Sequence, residues 1–260
     1  MKELVTGTWA DAEIMKLVRL RGEGMTAPEI SVKMNRKVLS VRNKLKDLKI
    51  KMPPNVDEEF FSRDDEYSHY VLGYWLADGC IMKKSGGHYF SIVSNDIGHL
   101  NKITNIMKIR NKLYKNSNDA YEIRVGSKKL VKNLKSIGGT YRKTETVKLS
   151  HIKFNGQHFR HLLRGYFDGD GSFGYSGYEK EDGTRSLSDI KFSGSKNIIK
   201  SLEPYMEDMG IEVTIYPDYR HSGYYMGVYG DNMRNLLDFM YRDSKLYLDR
   251  KKSQYIKGFR

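Results

Sequence analysis

VLGYWLADGCI at residues 71–81 and LRGYFDGDGSF at residues 163–173 are two copies of one pattern, and their reading decides the fold. Each copy holds a Gly-Tyr pair followed by Asp-Gly. The small residues fall four apart, Gly73 with Ala77 and Gly165 with Gly169, so on a helix they lie one turn apart on one face. Lacking Cβ bulk, two such faces let helix backbones touch. If the first copy packs on the second in this way, the helix ends converge and bring Asp78 and Asp170 together. Two carboxylates at neighbouring helix C-termini repel each other and meet the negative ends of two dipoles. That placement calls for a compensating cation with a taste for oxygen, Mg²⁺ or Mn²⁺, which beside a phosphodiester would activate water for in-line attack.

Downstream of each copy the same order recurs: a strand pair, a turn led by Ser94 or Ser193, a helix, further strands and another helix. Alternation of apolar and polar residues predicts strands over 88–94, 120–126, 187–193, 211–216 and 224–229. A duplicated αββαββα unit is expected. The paired motif with these strands resembles the LAGLIDADG homing endonucleases in their monomeric, duplicated form, over about residues 68–255.

That resemblance implies an α+β fold of two pseudo-symmetric αββαββα halves, residues 68–155 and 156–260, whose antiparallel sheets form a DNA-binding β saddle along the major groove. It implies metal binding by Asp78 and Asp170 with the carbonyls of Ala77 and Gly169, and a basic residue near each scissile phosphate. Lys143 in RKTETV and Lys251 in YLDRKK match best, with Arg142 and Arg250 as neighbouring alternatives, while simple register between the halves pairs Lys148 with Lys251. The first motif departs from the second in carrying Leu76 where Asp168 stands, a difference that bears on helix packing. Base reading would fall to strand residues in a pool of Tyr89, Ser91, Glu122, Arg124, Tyr175, Tyr178, Arg185, Ser188, Lys191, Tyr219, Arg220 and Tyr225, of which alternation turns about half to the wrong face.

The composition points the same way. Lys and Arg outnumber Asp and Glu by 45 to 32, a net charge of +13 that favours a polyanionic partner. No apolar run is long enough to span a membrane and no signal peptide opens the chain, so a soluble, intracellular protein acting on double-stranded DNA with a long asymmetric site is expected. A single cysteine, Cys80, excludes an internal disulfide and a zinc site on paired cysteines.

Residues 1–50 read as three short helices with a capping box at Thr26 and Glu29. Residues 33–49 carry seven Lys or Arg against one acid, and the third helix turns Arg36, Ser40, Asn43 and Lys46 away from Val38, Val41, Leu45 and Leu48. This unit resembles a helix-turn-helix DNA-binding domain of the Myb-like or phage kind. Residues 51–67, with Pro53-Pro54 and an acidic stretch, read as a linker.

Gly169-Asp170-Gly171-Ser172-Phe173-Gly174 satisfies the dinucleotide-binding spacing, but its glycines end a helix and open a strand, the reverse of what that motif needs. A calcium loop starting at Asp168 fails because Phe173 stands where glycine is required. His158 and His161 share a helix face without further ligands at metal spacing. Two functional classes remain: a divalent-metal DNA endonuclease leaving staggered ends, and a DNA-binding regulator or RNA maturase that keeps the scaffold without cutting. Retention of both acids favours the enzyme.

Overall fold

The computed structural model describes residues 5–84, 86–117, 119–179, 185–219 and 223–258, with the backbone alone at Tyr178, Glu179 and Arg185. The chain forms two compact units, Met1–Asn55 and Val56–Arg260.

The first unit holds α1 (Asp11–Gly22), α2 (Ala27–Met34) and α3 (Val38–Asp47). Leu17, Leu20, Ile30, Met34, Val41 and Leu45 form its core. Thr26 and Glu29 cap α2 reciprocally, the Thr26 amide donating to Glu29 Oε2 at 2.7 Å. Asn35, in the left-handed conformation at φ 52°, ends α2 and starts the three-residue turn into α3. Ser40 is half-buried on α3, and Asn43 and Lys46 are exposed there.

Arg36 does not belong to that outward face. Only 2% of it is exposed, and its guanidinium pairs with Glu13 at 2.7 and 2.9 Å, donates to the carbonyls of Gly7 and Thr8, and lies over the Trp9 ring. It lies in the turn before α3, where helical periodicity does not apply, and it fastens the N-terminal segment to the bundle. Arg36→Ala is expected to destabilise this unit by about 2 kcal/mol, since it strands two carbonyls and a half-buried carboxylate, whereas Lys46→Ala leaves its urea midpoint unchanged.

The linker is shorter than the sequence suggests. Val56, Phe60 and Phe61 are buried in the core of the second unit, and Asp65 caps the next helix by accepting from Tyr67 and Ser68 amides at 3.0 and 2.8 Å. The acids that resemble a solvated spacer are caps and ion-pair partners flanking aromatic anchors.

The second unit runs α4 (Glu66–Asp78), β1 (Gly79–Lys84), β2 (Gly87–Ser94), α5 (Ile97–Ile106), β3 (Tyr114–Lys115), β4 (Tyr121–Gly126), α6 (Lys128–Ser136) and α7 (Lys143–Thr146). It then repeats with α8 (Phe159–Asp170), β5 (Gly171–Glu179), β6 (Arg185–Gly194), α9 (Lys196–Asp208), β7 (Thr214–Pro217), β8 (Tyr224–Tyr229), α10 (Gly230–Tyr241) and α11 (Asp249–Gly258). The two four-stranded antiparallel sheets have matching orders, β1-β2-β4-β3 and β5-β6-β8-β7. One face of each sheet supplies the core, through Phe90, Ile92, Ile123 and Val125 in the first and Ile190, Phe192, Met226 and Val228 in the second. Every residue of α4 from Ser68 to Leu76 is buried, which explains why it is apolar all round instead of striped.

α4 and α8 cross at their glycines. A Cβ on Gly73 would stand 1.9 Å from the Leu162 carbonyl oxygen, and one on Gly165 2.0 Å from the Tyr70 carbonyl oxygen. Leu162 precedes Gly165 by three residues, as Tyr70 precedes Gly73, so the crossing has a local pseudo-twofold axis. Among the described residues no helix is long and apolar enough to cross a membrane.

Candidate active site

The crossing delivers Asp78 and Asp170 to one place. A Cβ on Gly169 would lie 2.3 Å from Ala77 Cβ and 3.4 Å from Asp78 Oδ2. Each helix stops because its next residue, Gly79 or Gly171, turns extended and opens a strand, with ψ of 167° and 161°. Glycine is needed there for space rather than for a left-handed cap: a Cβ would meet the Trp75 ring at 2.1 Å in one half and the Phe167 ring at 2.1 Å in the other. Tyr74 and Tyr166, each four residues before an acid, anchor the helix ends to the strands, donating to Ser94 Oγ at 3.1 Å and the Ser193 carbonyl at 2.7 Å.

Burial raises both carboxyl pKa values. Asp78 is pushed up to about 6 by desolvation and then by the charge of Asp170, with Lys143 and Lys251 pulling the other way. Asp170 is raised by burial and relieved by the same two lysines. Lys251 is 1% exposed and driven down to about 8 by burial, against the pull of Asp168. Lys143 is also lowered by burial.

The two lysines stand over equivalent rings but hold different carbonyls. Lys143 Nζ lies 5.7 Å from the Trp75 ring centroid and donates to the Leu76 and Ala77 carbonyls at 2.5 and 2.7 Å. Lys251 Nζ lies 4.8 Å from the Phe167 ring and donates to the carbonyls of Phe167 and Gly171, the latter at 2.7 Å. The three alternatives sit elsewhere: Arg142 and Lys148 are exposed, and Arg250 pairs with Asp96 at 3.3 Å.

Each lysine rides on an element clasped by the opposite half. The α7 segment carrying Lys143 is held by α9, through Asn197 to the Glu145 carbonyl at 2.8 Å and the Leu149 amide to Ser201 at 2.7 Å. The helix carrying Lys251 is tied to α5, through Lys102 to Asp249 at 2.6 Å and Arg250 to Asp96.

Asp168 explains the mismatch between the motifs. It is fully buried, and it accepts from Tyr70 at 2.6 Å, from Tyr241, and from the Leu248 amide at 2.8 Å, just ahead of α11. Its carboxylate therefore joins α4, α8, α10 and the start of α11, a packing role as expected. Leu76 at the matching place makes no such connection, and the first half carries its lysine on the four-residue α7 instead.

The oxygen donors suit a hard cation: two carboxylates whose charges are left partly uncompensated by burial, beside backbone carbonyls. Lys143 already holds the Ala77 carbonyl, so that oxygen has one lone pair left for a metal. Among the described residues no group of three His, Cys, Asp or Glu side chains forms a metal site, so protein carboxylates alone cannot complete a coordination shell. A cleft of about 300 Å³, lined by Ala77, Lys143, Tyr166, Asp170 and Ser193 among others, opens beside the Asp170 carboxylate.

The strand pool sorts by register. Tyr89, Ser91, Arg124, Glu122, Lys191 and Tyr225 lie on the face opposite the core. Ser91 and Glu122 are buried there by their own hydrogen bond and by Arg124. Tyr175 pairs with Leu187 between two register shifts and is 44% exposed. The irregularity lies at Ser188, which breaks the alternation and donates to Asp189. Tyr219 is 92% exposed. Arg220 and the side chains of Tyr178 and Arg185 lie outside the described residues. Sequence reading missed Tyr74 and Tyr166, although the Gly-Tyr pair repeated in both motifs marked them.

No protein-family model matches the sequence, and no curated protein does. Solved structures do. The meganuclease I-SmaMI bound to uncleavable DNA with a TTCT central four is 14% identical, with 75% of this chain and 89% of that one covered at a TM-score of 0.56. I-SmaMI bound to an uncleaved DNA target in the presence of calcium ions is 15% identical, with 76% and 90% covered at 0.54. The I-SmaMI LAGLIDADG homing endonuclease bound to cleaved DNA is 16% identical, with 76% and 88% covered at 0.53. The two antiparallel sheets joined by crossed α4 and α8 have the fold of these LAGLIDADG homing endonucleases.

Proposed function

We propose that this chain is a site-specific, metal-dependent endonuclease that makes a staggered double-strand cut in DNA. The observation that carries this reading is the pair of half-buried carboxylates, Asp78 and Asp170, at one pseudo-twofold crossing, each half supplying a lysine over an equivalent aromatic ring. A scaffold needed only for binding would be more stable with neutral residues at that crossing.

Asp78 and Asp170, with the Ala77 and Gly169 carbonyls, would hold Mg²⁺ or Mn²⁺. Bound there, the cation supplies Lewis-acid stabilisation at the scissile phosphodiester and acidifies the attacking water. Lys143 and Lys251 place ammonium groups at the site, one per strand, to donate to phosphate oxygens as charge builds on them. Because β1 and β5 start one residue after the acids, the polar sheet faces flank the cut and read bases as direct contacts. The protein would act as a monomer, its two halves covering the two sides of a long asymmetric target. The exposed basic face of α3 would add a helix-turn-helix contact to the same DNA.

The test is cleavage-site selection from a random duplex library with Mg²⁺. Staggered cuts at a long consensus, abolished by chelation, are expected. Selective binding without cutting in Mg²⁺ or Mn²⁺ would overturn the enzyme reading in favour of a regulator or maturase. Removing residues 1–55 is expected to weaken binding and to flatten the dependence of log affinity on log salt by about 0.9 for each phosphate that the first unit had neutralised. An unchanged slope would remove the first unit from the DNA interface.

A further inference from the structure

The two polar sheet faces superpose by register but not by chemistry. Ile92 and Phe192 hold matching places, each opposite the glycine that follows an acid, and they pair in turn with Ile123 and Met226. Arg124 therefore corresponds to Gly227, and Glu122 to Tyr225. The first sheet has an arginine where the second has no side chain at all.

Arg124 is fixed from several sides. Its Nε donates to Glu122 Oε1 at 2.9 Å and its Nη2 to Glu122 Oε2 at 2.5 Å, a side-on bidentate pair. Ser91 donates to Glu122 Oε1 at 2.5 Å, and the guanidinium carbon stands 5.5 Å from the Tyr114 ring centroid. The Glu122 side chain is 6% exposed and that of Arg124 is 40% exposed. Burying a carboxylate under a sheet face adds little to stability compared with an apolar residue in its place. What the arrangement delivers is orientation. With Nε and one Nη2 hydrogen taken by Glu122, the Nη1 and remaining Nη2 hydrogens form a parallel pair on the free edge of the guanidinium. That spacing matches the N7 and O6 acceptors a guanine shows in the major groove.

We propose that Arg124 reads one guanine in the half of the target bound by the first sheet, and that Glu122 and Ser91 position it without touching DNA. The second half has Gly227 at the equivalent place, with Lys191 across from it on β6 and paired with Asp189 at 3.3 Å, so the clamped arginine has no symmetry mate there. This rests on the DNA-binding part of the proposed function and not on cleavage, so its test is read in binding with chelator present.

Duplexes are selected from a random library by the wild-type protein, and each guanine of the selected site is then replaced singly by 7-deazaguanine, which lacks the N7 acceptor. One replacement is expected to weaken wild-type binding about tenfold and to have no effect on Arg124→Met, which keeps the side-chain stem but has no donor to offer N7. Glu122→Gln, which keeps the arginine but loosens its clamp, is expected to reduce the same penalty and no other. Identical 7-deazaguanine profiles for the wild-type and Arg124→Met proteins would overturn the proposal alone. The absence of a wild-type penalty at every guanine would do so without any variant. Failure to select any sequence would overturn the DNA-binding reading and this proposal with it.

Discussion

Asp78→Asn or Asp170→Asn is expected to lower double-strand cleavage at least about 10³-fold in Mg²⁺ while DNA binding in chelator survives, because several kcal/mol of metal-borne transition-state stabilisation are lost and the sheets are untouched. The same change should stabilise the metal-free protein. Asp78 holds its proton up to about pH 6, above the ordinary carboxylate range, because burial and Asp170 disfavour its charge. A group raised in this way contributes stability that is full below about pH 4 and lost as pH rises through 6. At pH 7.5 the ionised side chain costs about 3 kcal/mol, which Asn removes. Melting curves in chelator should place Asp78→Asn above wild type at pH 7.5, with the gap closing by pH 4. Full cutting by the double Asn variant would end the proposed mechanism, and equal melting at pH 7.5 would show that the carboxylate is not held in a desolvated place.

Gly73→Ala or Gly165→Ala should be strongly damaging single-methyl changes. The added carbon would meet a backbone carbonyl at 1.9 or 2.0 Å, and a carbonyl inside a neighbouring helix cannot swing aside as a long side chain can. The helices must part, and the core residues packed around both part with them, for a loss of about 3 kcal/mol or more and a fall in melting temperature of about 10 °C. Gly98→Ala is the matched control. It adds the same methyl inside α5 with nothing within 4 Å, so relief of glycine's backbone entropy should raise stability by about 0.5–1 kcal/mol. Parting α4 from α8 also separates Asp78 from Asp170, so cleavage of both strands should fall with stability in the Gly variants and not in the control. Wild-type melting of Gly73→Ala would mean that the helices do not cross at these residues.

The unequal halves bear on how the site is held. Asp168 ties the start of α11 into the core through Leu248, and Lys251 lies in the first turn of that helix. Lys143 depends on a four-residue helix whose supports come from α9. The pseudo-symmetry of the acids does not extend to the parts that carry their lysines.

The sequence by itself determined the duplicated αββαββα order, the glycine faces and the two acids, because these depend on short-range spacing: four residues along a helix, two along a strand and one position before a glycine. Tertiary structure decided the rest. Arg36 looked like a member of a basic helix face and is a buried tether, since its partners Glu13, Gly7 and Thr8 lie more than twenty residues away. Strand alternation alone could not place Tyr175, because its register with β6 shifts on both sides of it. The acidic linker proved half anchored, because Phe60 and Phe61 find their core in residues far along the chain. Lys143 and Lys251 are the best matches the resemblance implies, with Arg142, Arg250 and Lys148 beside them; their places follow from cross-clasps between opposite halves, and spacing within one half carries no information about a contact made by the other.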